Sequence, residues 1–286
     1  MKTASEYTTF IDSSLREASR MAVRMQGAGH SRVKAADVNQ VVTDADLALG
    51  ALLTERIRGA YPRHGILEEE SGASPGDDEI VWIVDPVDGS SNYAAGSPLY
   101  GIMMAVVGSG GVLAGGMALP AFNTVYLASS GGGATRNGQL IEPLPVTALD
   151  RSLVAYGLDK GPPDSMATEG RLIAAIGAAC QSVRMSNSVF DTCMVADGTY
   201  GAFLHRNCRI WDVAAAVCIL QECGGICTDL SGRPLELTDP FGRAEQIFEV
   251  CFASTTVHPT LMGAVAGVLG PSHAKAPTYK AGAAPS

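Results

Sequence analysis

The sequence predicts a mixed fold of the α+β or α/β class, with an antiparallel sheet in its N-terminal half and a mixed or parallel sheet in its C-terminal half. Apolar residues in the segment 7–26 recur at helical spacing. Residues 100–138 contain strand-like runs joined by tight turns, which is the pattern of an antiparallel meander. From residue 153 onward strands alternate with helices, which favours parallel pairing because parallel strands need a crossover connection.

Two helices are predicted in the first 60 residues. Phe10 and Leu15 belong to the apolar face of the first helix, predicted over residues 7–26. Thr43 and Asp46 stand close to the spacing of a capping box at the start of the second helix. Asp46 can therefore be explained as a helix-start acid, a position that the helix dipole also favours.

The most informative stretch is a strand that ends in two carboxylates. Residues 81–84 are β-branched or aromatic, which predicts a buried strand. Pro86 stops this strand, and Asp85 and Asp88 precede a Gly-Ser-Ser turn. Carboxylates beside free backbone amides suit a hard cation and a phosphate together. The alternative is a simple turn that is capped by Asp and Ser side chains.

The remaining elements follow from the same patterns. The meander is predicted to contain strands at residues 100–108, 112–119 and 124–129. Residues 158–164 are expected to form a mobile loop. The C-terminal half is predicted to contain strands at residues 153–157, 181–185, 200–204, 226–229 and 250–254, and helices at residues 167–179, 188–197, 211–223 and 258–269.

We expect two coupled halves followed by a tail. Residues 1–142 would form an N-terminal α+β half with the metal-site motifs. Residues 143–270 would form a C-terminal α/β half that completes the metal and substrate site. Residues 271–286 are rich in Ala, Pro, Gly and Lys, which predicts a flexible tail.

Composition argues against several classes of protein. The 286 residues are 47% hydrophobic and 17% charged, so a sizeable core is feasible. The net charge of −9 argues against nucleic-acid binding and against an anionic membrane surface. No apolar run reaches the roughly 20 residues of a membrane span, and no signal peptide is expected. The seven cysteines include no C-x-x-C pair, which favours reduced core thiols and a cytoplasmic location.

Several acids recur where a buried strand gives way to a loop or a helix start. Neighbouring carboxylates raise one another's pKa values unless cations neutralise them. Carboxylates together with a backbone carbonyl suit Mg²⁺, which keeps water and often shares phosphate oxygens. The competing explanation is a set of unrelated helix-start and surface acids. The acids in question are Asp46, Glu69, Glu70, Asp85, Asp88 and Asp212.

Five stretches, in order, resemble the motifs of the inositol monophosphatase family of Mg²⁺-dependent, lithium-sensitive phosphatases. Five motifs in order are a more specific signal than one glycine loop, and the resemblance covers about residues 7–267. The stretches are Val42-Thr43-Asp44-Ala45-Asp46, Glu69-Glu70-Ser71, Trp82-Ile83-Val84-Asp85-Pro86-Val87-Asp88-Gly89-Ser90-Ser91-Asn92, Gly133-Ala134-Thr135-Arg136-Asn137-Gly138 and Trp211-Asp212-Val213-Ala214-Ala215-Ala216.

The resemblance implies a layered αβαβα sandwich and the hydrolysis of a small phosphate monoester by metal-activated water. It also implies that two or three Mg²⁺ ions bind, with Asp85 bridging two of them. The implied metal ligands are Glu69, Asp85, the Val87 carbonyl, Asp88 and Asp212.

Further roles are carried over by position from the same resemblance. Ser90, paired with Asp46, would orient the attacking water, and Glu69 would also take part in catalysis. Glu70 would be a supporting acid, and a homodimer is expected. The phosphate would bind to the amides of Gly89, Ser90 and Ser91.

Two departures from the family pattern concern the turn geometry and the substrate. Glu68 replaces a glycine before the paired acids. His205 stands seven residues before Asp212, where inositol-specific members carry a glutamate that binds substrate hydroxyls. We therefore predict a substrate site at Asn187, His205 and Arg206, which would suit a second anionic group or a different polar pattern. The alternative is that His205 and Arg206 are solvated loop residues.

The substrate class follows from these motifs only in outline. An inositol, sugar or polyol phosphate is expected, and the alternatives are histidinol phosphate, fructose 1,6-bisphosphate and a nucleotide 3′-phosphate. The nucleotide is disfavoured because the sequence shows no obvious aromatic platform for a base. A non-catalytic regulatory protein on the same scaffold is the less favoured alternative.

Overall fold

The computed structural model describes residues 4–28, 30–34 and 37–270, so the tail predicted at residues 271–286 lies outside the described residues. The N-terminal half contains three helices and ten strands: α1 (Ala4–Met25), β1 (Ser31–Lys34), β2 (Asp37–Thr43), α2 (Asp44–Ala60), β3 (Gly65–Glu68), β4 (Gly72–Ser74), β5 (Val81–Asp88), α3 (Ser90–Ala94), β6 (Gly101–Gly108), β7 (Gly111–Leu119), β8 (Thr124–Ser129), β9 (Gly133–Arg136) and β10 (Gln139–Leu140).

The C-terminal half alternates strands and helices up to β14, as predicted. No described helix combines the length and the apolarity that a bilayer crossing requires. The elements are β11 (Leu153–Tyr156), α4 (Pro163–Ala179), β12 (Ser182–Arg184), α5 (Val189–Ala196), β13 (Ala202–Cys208), α6 (Ile210–Glu222), β14 (Ile226–Thr228), β15 (Phe248–Ala253) and α7 (Val257–Leu269).

Three apolar clusters separate five layers of secondary structure. The first cluster lies between α1 and α2 and one face of an eight-stranded sheet. The second joins the other face of that sheet to α5, α6 and a five-stranded sheet, and it contains residues of both halves of the chain. The third packs the five-stranded sheet against α4 and α7. The predicted αβαβα sandwich is therefore confirmed, while the boundary between residues 142 and 143 stays a prediction.

The two sheets differ in strand direction. The eight-stranded sheet has the order β10-β9-β8-β7-β6-β5-β3-β4 and is antiparallel except for the parallel pair β3 and β5. The five-stranded sheet has the order β12-β11-β13-β15-β14, and only the pairs of β11 with β12 and β13 are parallel.

The parallel pair of β3 and β5 determines where the first metal-site acids lie. Glu68 is paired with Val84 in this register, and the Glu69 amide donates to the Val84 carbonyl at 3.2 Å. Because both strands run in the same direction, Glu69 and Asp85 follow at the same edge of the sheet. Two motifs that are distant in sequence are thereby brought together.

Two elements near the site differ from the prediction. The β1–β2 hairpin, which ends at Thr43, was not predicted, since only residues 41 and 42 carry a clear apolar signal. β13 was predicted to end at residue 204, but it continues to Cys208. His205 and Arg206 therefore lie on a strand and are half-buried, so the alternative of solvated loop residues is wrong.

Candidate active site

Three aspartates from two distant segments converge in one cleft between the two halves. Asp85 and Asp88 lie among the last four residues of the strand β5, and Asp212 lies in the first turn of α6. One carboxylate oxygen of each residue lies within 4.8 Å of those of the other two. Glu69 and Val87, the two other predicted metal ligands, line the same cleft. This separation of oxygens is suited to a shared divalent cation.

Crowding and burial make these carboxylates hard to ionise together. Burial, followed by repulsion from Glu69, Asp88 and Asp212, raises the pKa of Asp85 well above its ordinary value. The pKa of Asp212 is raised by burial and by the charges of Asp88 and Glu69. Burial also raises the pKa of Asp88 to about 6, although a backbone hydrogen bond opposes this shift.

The backbone holds each of the three carboxylates in place. Asp85 Oδ1 accepts from the Val87 amide at 3.0 Å, and Asp212 Oδ2 accepts from the Arg209 amide at 2.6 Å. Asp88 accepts from the Val189 amide at the start of α5. Within the described residues, no lysine, arginine or histidine forms an ion pair with any of the three. The remaining charge therefore calls for a cation from outside the chain.

Ser90 and Asp46 form the hydroxyl–carboxylate pair that the resemblance implied. Ser90 Oγ lies 2.7 Å from Asp46 Oδ1 and 2.8 Å from the Val87 carbonyl oxygen. Asp46 Oδ2 accepts from the Thr43 amide at 2.7 Å and from the Thr43 hydroxyl. The predicted capping box is thus present, and it orients a carboxylate that also contacts a residue of the cleft.

The turn after β5 presents the start of α3 to the cleft. Gly89 has φ of +84°, a left-handed conformation that L side chains rarely adopt, and a Cβ there would lie 2.8 Å from Ser188 Cβ. Ser90 and Ser91 form the first turn of α3, where backbone amides have no partner within the helix. Gly89, Ser90 and Ser91 all line the cleft.

The turn after β3 is organised by Glu68, which replaces the family's glycine. Its buried carboxylate accepts from the amides of Glu70 and Ser71 at 3.1 and 2.7 Å, and from the Ser71 hydroxyl at 2.5 Å. Gly50 of α2 leaves the space for it, because a Cβ there would lie 2.8 Å from Glu68 Oε1. Glu70 is half-buried in this turn and does not line the cleft.

A second wall of the cleft is built from β13 and the segments after β11 and before α5. His205 and Asn187 line it, as the substrate-site prediction expects, together with Asp159 and Asn207. His205 Nε2 lies 3.4 Å from Asp159 Oδ2, and Asn207 Nδ2 donates to the same oxygen at 2.7 Å. This polar cluster faces the same space as the acidic residues of the metal end.

The structure does not place Arg206 in the cleft. Its guanidinium forms ion pairs with Glu169 at 2.7 Å and with Glu249 at 2.8 Å. Strand alternation explains this position: Phe203, His205 and Asn207 share one face of β13 and line the cleft, while Arg206 points to the other face. The predicted contact between Arg206 and substrate is therefore unsupported, because its charge is used in a structural network.

Several cleft residues were not predicted from the sequence. Asp159 comes from a loop with no recognisable motif, and Asn207 was placed beyond the end of its strand. Trp211 and Arg209 also line the cleft beside Asp212. Asn207 could have been found by continuing the two-residue period of β13, because residues two apart on a strand share a face.

The family model for the inositol monophosphatases matches residues 4–262. The chain therefore belongs to the inositol monophosphatase family, whose members are Mg²⁺-dependent phosphatases. Its fold is similar to that of the IMPase of Thermotoga maritima, with a TM-score of 0.81, 25% identity, and coverage of 92% of this chain and 98% of that chain.

Two curated relatives carry different kinds of name. The inositol-1-monophosphatase ImpA of Mycolicibacterium smegmatis is 32% identical over 217 residues, 74% of this chain and 74% of that protein. The putative Nus factor SuhB of Neisseria meningitidis is 35% identical over 197 residues, 68% of this chain and 76% of that protein. The similarity to these relatives establishes the family, but their names differ in the activity that they indicate.

Proposed function

We propose that this chain is a Mg²⁺-dependent hydrolase of small phosphate monoesters of the inositol, sugar or polyol phosphate class. The observation that carries the proposal is the convergence of Asp85, Asp88 and Asp212, with oxygens within 4.8 Å of one another, in a cleft that also contains Glu69 and Ser90. Buried acids with raised pKa values in one cleft are typical of a functional site, and a non-catalytic protein on the same scaffold does not require them.

The donor set fits divalent magnesium. All the candidate ligands are oxygens, which hard cations prefer, and the pKa values of Asp85 and Asp212 are raised by burial and mutual repulsion that a cation would relieve. We assign two or three ions to Glu69, Asp85, the Val87 carbonyl, Asp88 and Asp212. When bound, Mg²⁺ would supply positive charge to the phosphoryl oxygens and lower the pKa of the attacking water.

The chain's own groups would orient the reactants. If the Ser90 hydroxyl donates its single proton to Asp46 Oδ1, its oxygen remains an acceptor that can orient a water molecule. Thr43 holds Asp46 in that position. The first amides of α3, from Gly89 to Ser91, would donate to the phosphate oxygens, because helix-start amides lack intrahelical partners.

The family favours a small alcohol part. We therefore keep inositol, sugar and polyol phosphates ahead of a nucleotide 3′-phosphate. The cleft has a volume of about 140 Å³ and shares Asp159, His205 and Asn207 with a neighbouring cavity of about 320 Å³. Asn187 and His205 line the cleft on the wall formed by β13 and the segment before α5, and we propose that this wall faces the alcohol part of the ester.

A regulatory role is the second candidate, and the Nus factor name of the Neisseria relative is the finding that favours it. That name does not support the expectation that this chain binds no nucleic acid, which stays a prediction. Homodimerisation and a cytoplasmic location also stay predictions, and light scattering after size-exclusion chromatography tests the first of them.

Phosphate release from a panel of esters tests the proposal. The panel contains inositol 1-phosphate, glycerol 2-phosphate, histidinol phosphate, fructose 1,6-bisphosphate and p-nitrophenyl phosphate, each assayed with Mg²⁺ and with EDTA. We expect release that depends on Mg²⁺ and is abolished by EDTA. No release from any ester by the folded, Mg²⁺-loaded protein would falsify the proposed activity and leave the regulatory role.

A further inference from the structure

The wall of the cleft built from β13 and the segments after β11 and before α5, which we call its alcohol end, contains a carboxylate with an unusual environment. Asp159 lies three residues after the end of β11 and is 20% exposed. Asn207 Nδ2 donates to its Oδ2 at 2.7 Å, and Asn187 Nδ2 donates to its Oδ1 at 3.1 Å. Burial acts to raise the pKa of Asp159, but the His205 ring, followed by these two amides, lowers it to about 2. These contacts favour the charged form of Asp159.

Asn187 positions this carboxylate and links it to the backbone of the loop. Its Oδ1 accepts from the Leu158 amide at 2.8 Å, while its Nδ2 donates to Asp159. Asn187 adopts a left-handed φ of +57°, which asparagine tolerates better than most residues. The Asn187 side chain thus links the start of the segment between β11 and α4 to the cleft. The sequence predicted a mobile loop over residues 158–164, but α4 already begins at Pro163.

His205 packs beside Asp159 in this part of the cleft. Its Nδ1 lies 3.4 Å from Cys208 Sγ, and its Nε2 lies 3.4 Å from Asp159 Oδ2, buried and without a hydrogen-bond partner among the described residues. The ring packs on Gly157, where an added Cβ would lie 2.5 Å from His205 Cγ. The contact with Gly157 fixes the ring beside the Asp159 carboxylate.

Asp159 is the anionic acceptor of this cluster. A carboxylate offers about four acceptor sites, and Asp159 Oδ1 accepts from Asn187. The residue lines the cleft that also contains Ser90 and Asp212. An acceptor at the far end of a phosphate site is matched by a hydroxyl or an ammonium group on the alcohol part of the ester.

We propose that Asp159 is a specificity-determining residue that accepts a hydrogen bond from a hydroxyl or ammonium group of the substrate and disfavours a second anionic group. The inference rests on the proposed function. Two arginines near this part of the cleft form contacts elsewhere: Arg206 pairs with Glu169 and Glu249, and Arg209 donates to the Glu245 carbonyl. The proposal replaces the sequence-based expectation that this part of the cleft suits a second anionic group of the substrate.

Asp159→Asn tests the proposal because it keeps the shape and removes the charge. The exposed Asp164→Asn, five residues later, is the matched control. kcat and KM are measured with Mg²⁺ on glycerol 2-phosphate, phosphoethanolamine, fructose 1,6-bisphosphate and p-nitrophenyl phosphate. We expect Asp159→Asn to raise KM for the first two by about tenfold. The aryl ester should change by less than about twofold, the bisphosphate should improve, and Asp164→Asn should match wild type.

Three outcomes overturn the inference. Equal losses on every ester, including the aryl phosphate, would show a purely structural role for Asp159. Unchanged selectivity in Asp159→Asn would remove the recognition role while leaving the phosphatase intact. A wild-type preference for the bisphosphate that Arg209→Ala abolishes would assign that end of the cleft to an anion. Wild type that hydrolyses no ester at all would instead mark failure of the proposed function on which this inference depends.

Discussion

The pKa values of aspartates in two parts of the cleft are shifted in opposite directions. At the metal end, Asp85 and Asp212 face other carboxylates, and their pKa values are raised. At the alcohol end, Asp159 is surrounded by two amides and an imidazole, and its pKa is lowered to about 2. Aspartates at the metal end would therefore be stabilised in their charged form by a cation, whereas the charged form of Asp159 is stabilised by its protein neighbours.

This difference suggests that separate residues carry out the reaction and select the substrate. The metal-end acids lie on β5 and at the start of α6, where backbone amides hold them close together. Asp159 lies on a loop that is held by side chains of β13 and of the segment before α5. Loops tolerate sequence change better than element ends, so specificity can vary here without disturbing the metal ligands.

The largest effect is expected at the metal end. Asp85→Asn and Asp212→Asn should each lower kcat/KM by on the order of 1,000-fold on every ester, because a ligand carboxylate is lost. Phosphate release at saturating Mg²⁺ measures this loss, with Asp164→Asn as the control for a lost surface charge. Retention of more than about a tenth of wild-type activity in both variants would remove these residues from the metal site.

Ser90→Ala should have the next largest effect. The substitution deletes the oxygen that lies 2.7 Å from Asp46 but keeps the backbone amide of α3. We expect kcat to fall by about 100-fold with little change in KM, a magnitude typical of a positioned proton-transfer group. Steady-state kinetics test this, and Ser130→Ala in an exposed turn is the control. A change confined to KM would contradict the role in orienting water.

The affinity for Mg²⁺ should depend on pH. Because the pKa of Asp88 is raised to about 6, protons compete with the cation below that pH. The dissociation constant for Mg²⁺ should therefore rise by about tenfold between pH 6.5 and pH 5. Isothermal titration calorimetry at these pH values gives the answer, and equal affinities at pH 5 and pH 7.5 would contradict it.

Thermal stability should show the smallest effect. Ionised Asp85 destabilises the metal-free fold above its ordinary pKa, since its pKa is raised in the folded state. At neutral pH without Mg²⁺, Asp85→Asn should melt a few degrees above wild type, and saturating Mg²⁺ should raise the wild-type Tm by about 5 °C. A metal-free variant that melts below wild type, and responds equally to Mg²⁺, would contradict this account.

The convergence of the acids could be expected because the sequence information for it is local. Each acid directly follows a recognisable strand or starts a helix, as in the run from Asp85 to Ser90. The contact of Glu69 with this region followed from motif order, although the parallel pairing of β3 and β5 that produces it is a long-range feature.

The alcohol end could be predicted only in part, because its contacts join residues far apart in sequence. Asp159 meets Asn187 and Asn207, which lie 28 and 48 positions later, and no local pattern marks it. The position of Arg206 differs from the expected one for a simpler reason, and its contact with substrate stays a prediction. β13 was ended four residues too early, so the alternation that turns Arg206 away from the cleft was not applied.

One two-by-two measurement tests the separation of the two ends most directly. kcat/KM is measured for Asp85→Asn and Asp159→Asn on p-nitrophenyl phosphate and on glycerol 2-phosphate. We predict that Asp85→Asn lowers both values by about the same large factor, whereas Asp159→Asn lowers only the glycerol phosphate value, by about tenfold. Equal losses on both esters in both variants would contradict the account, because chemistry and substrate choice would then depend on a single site.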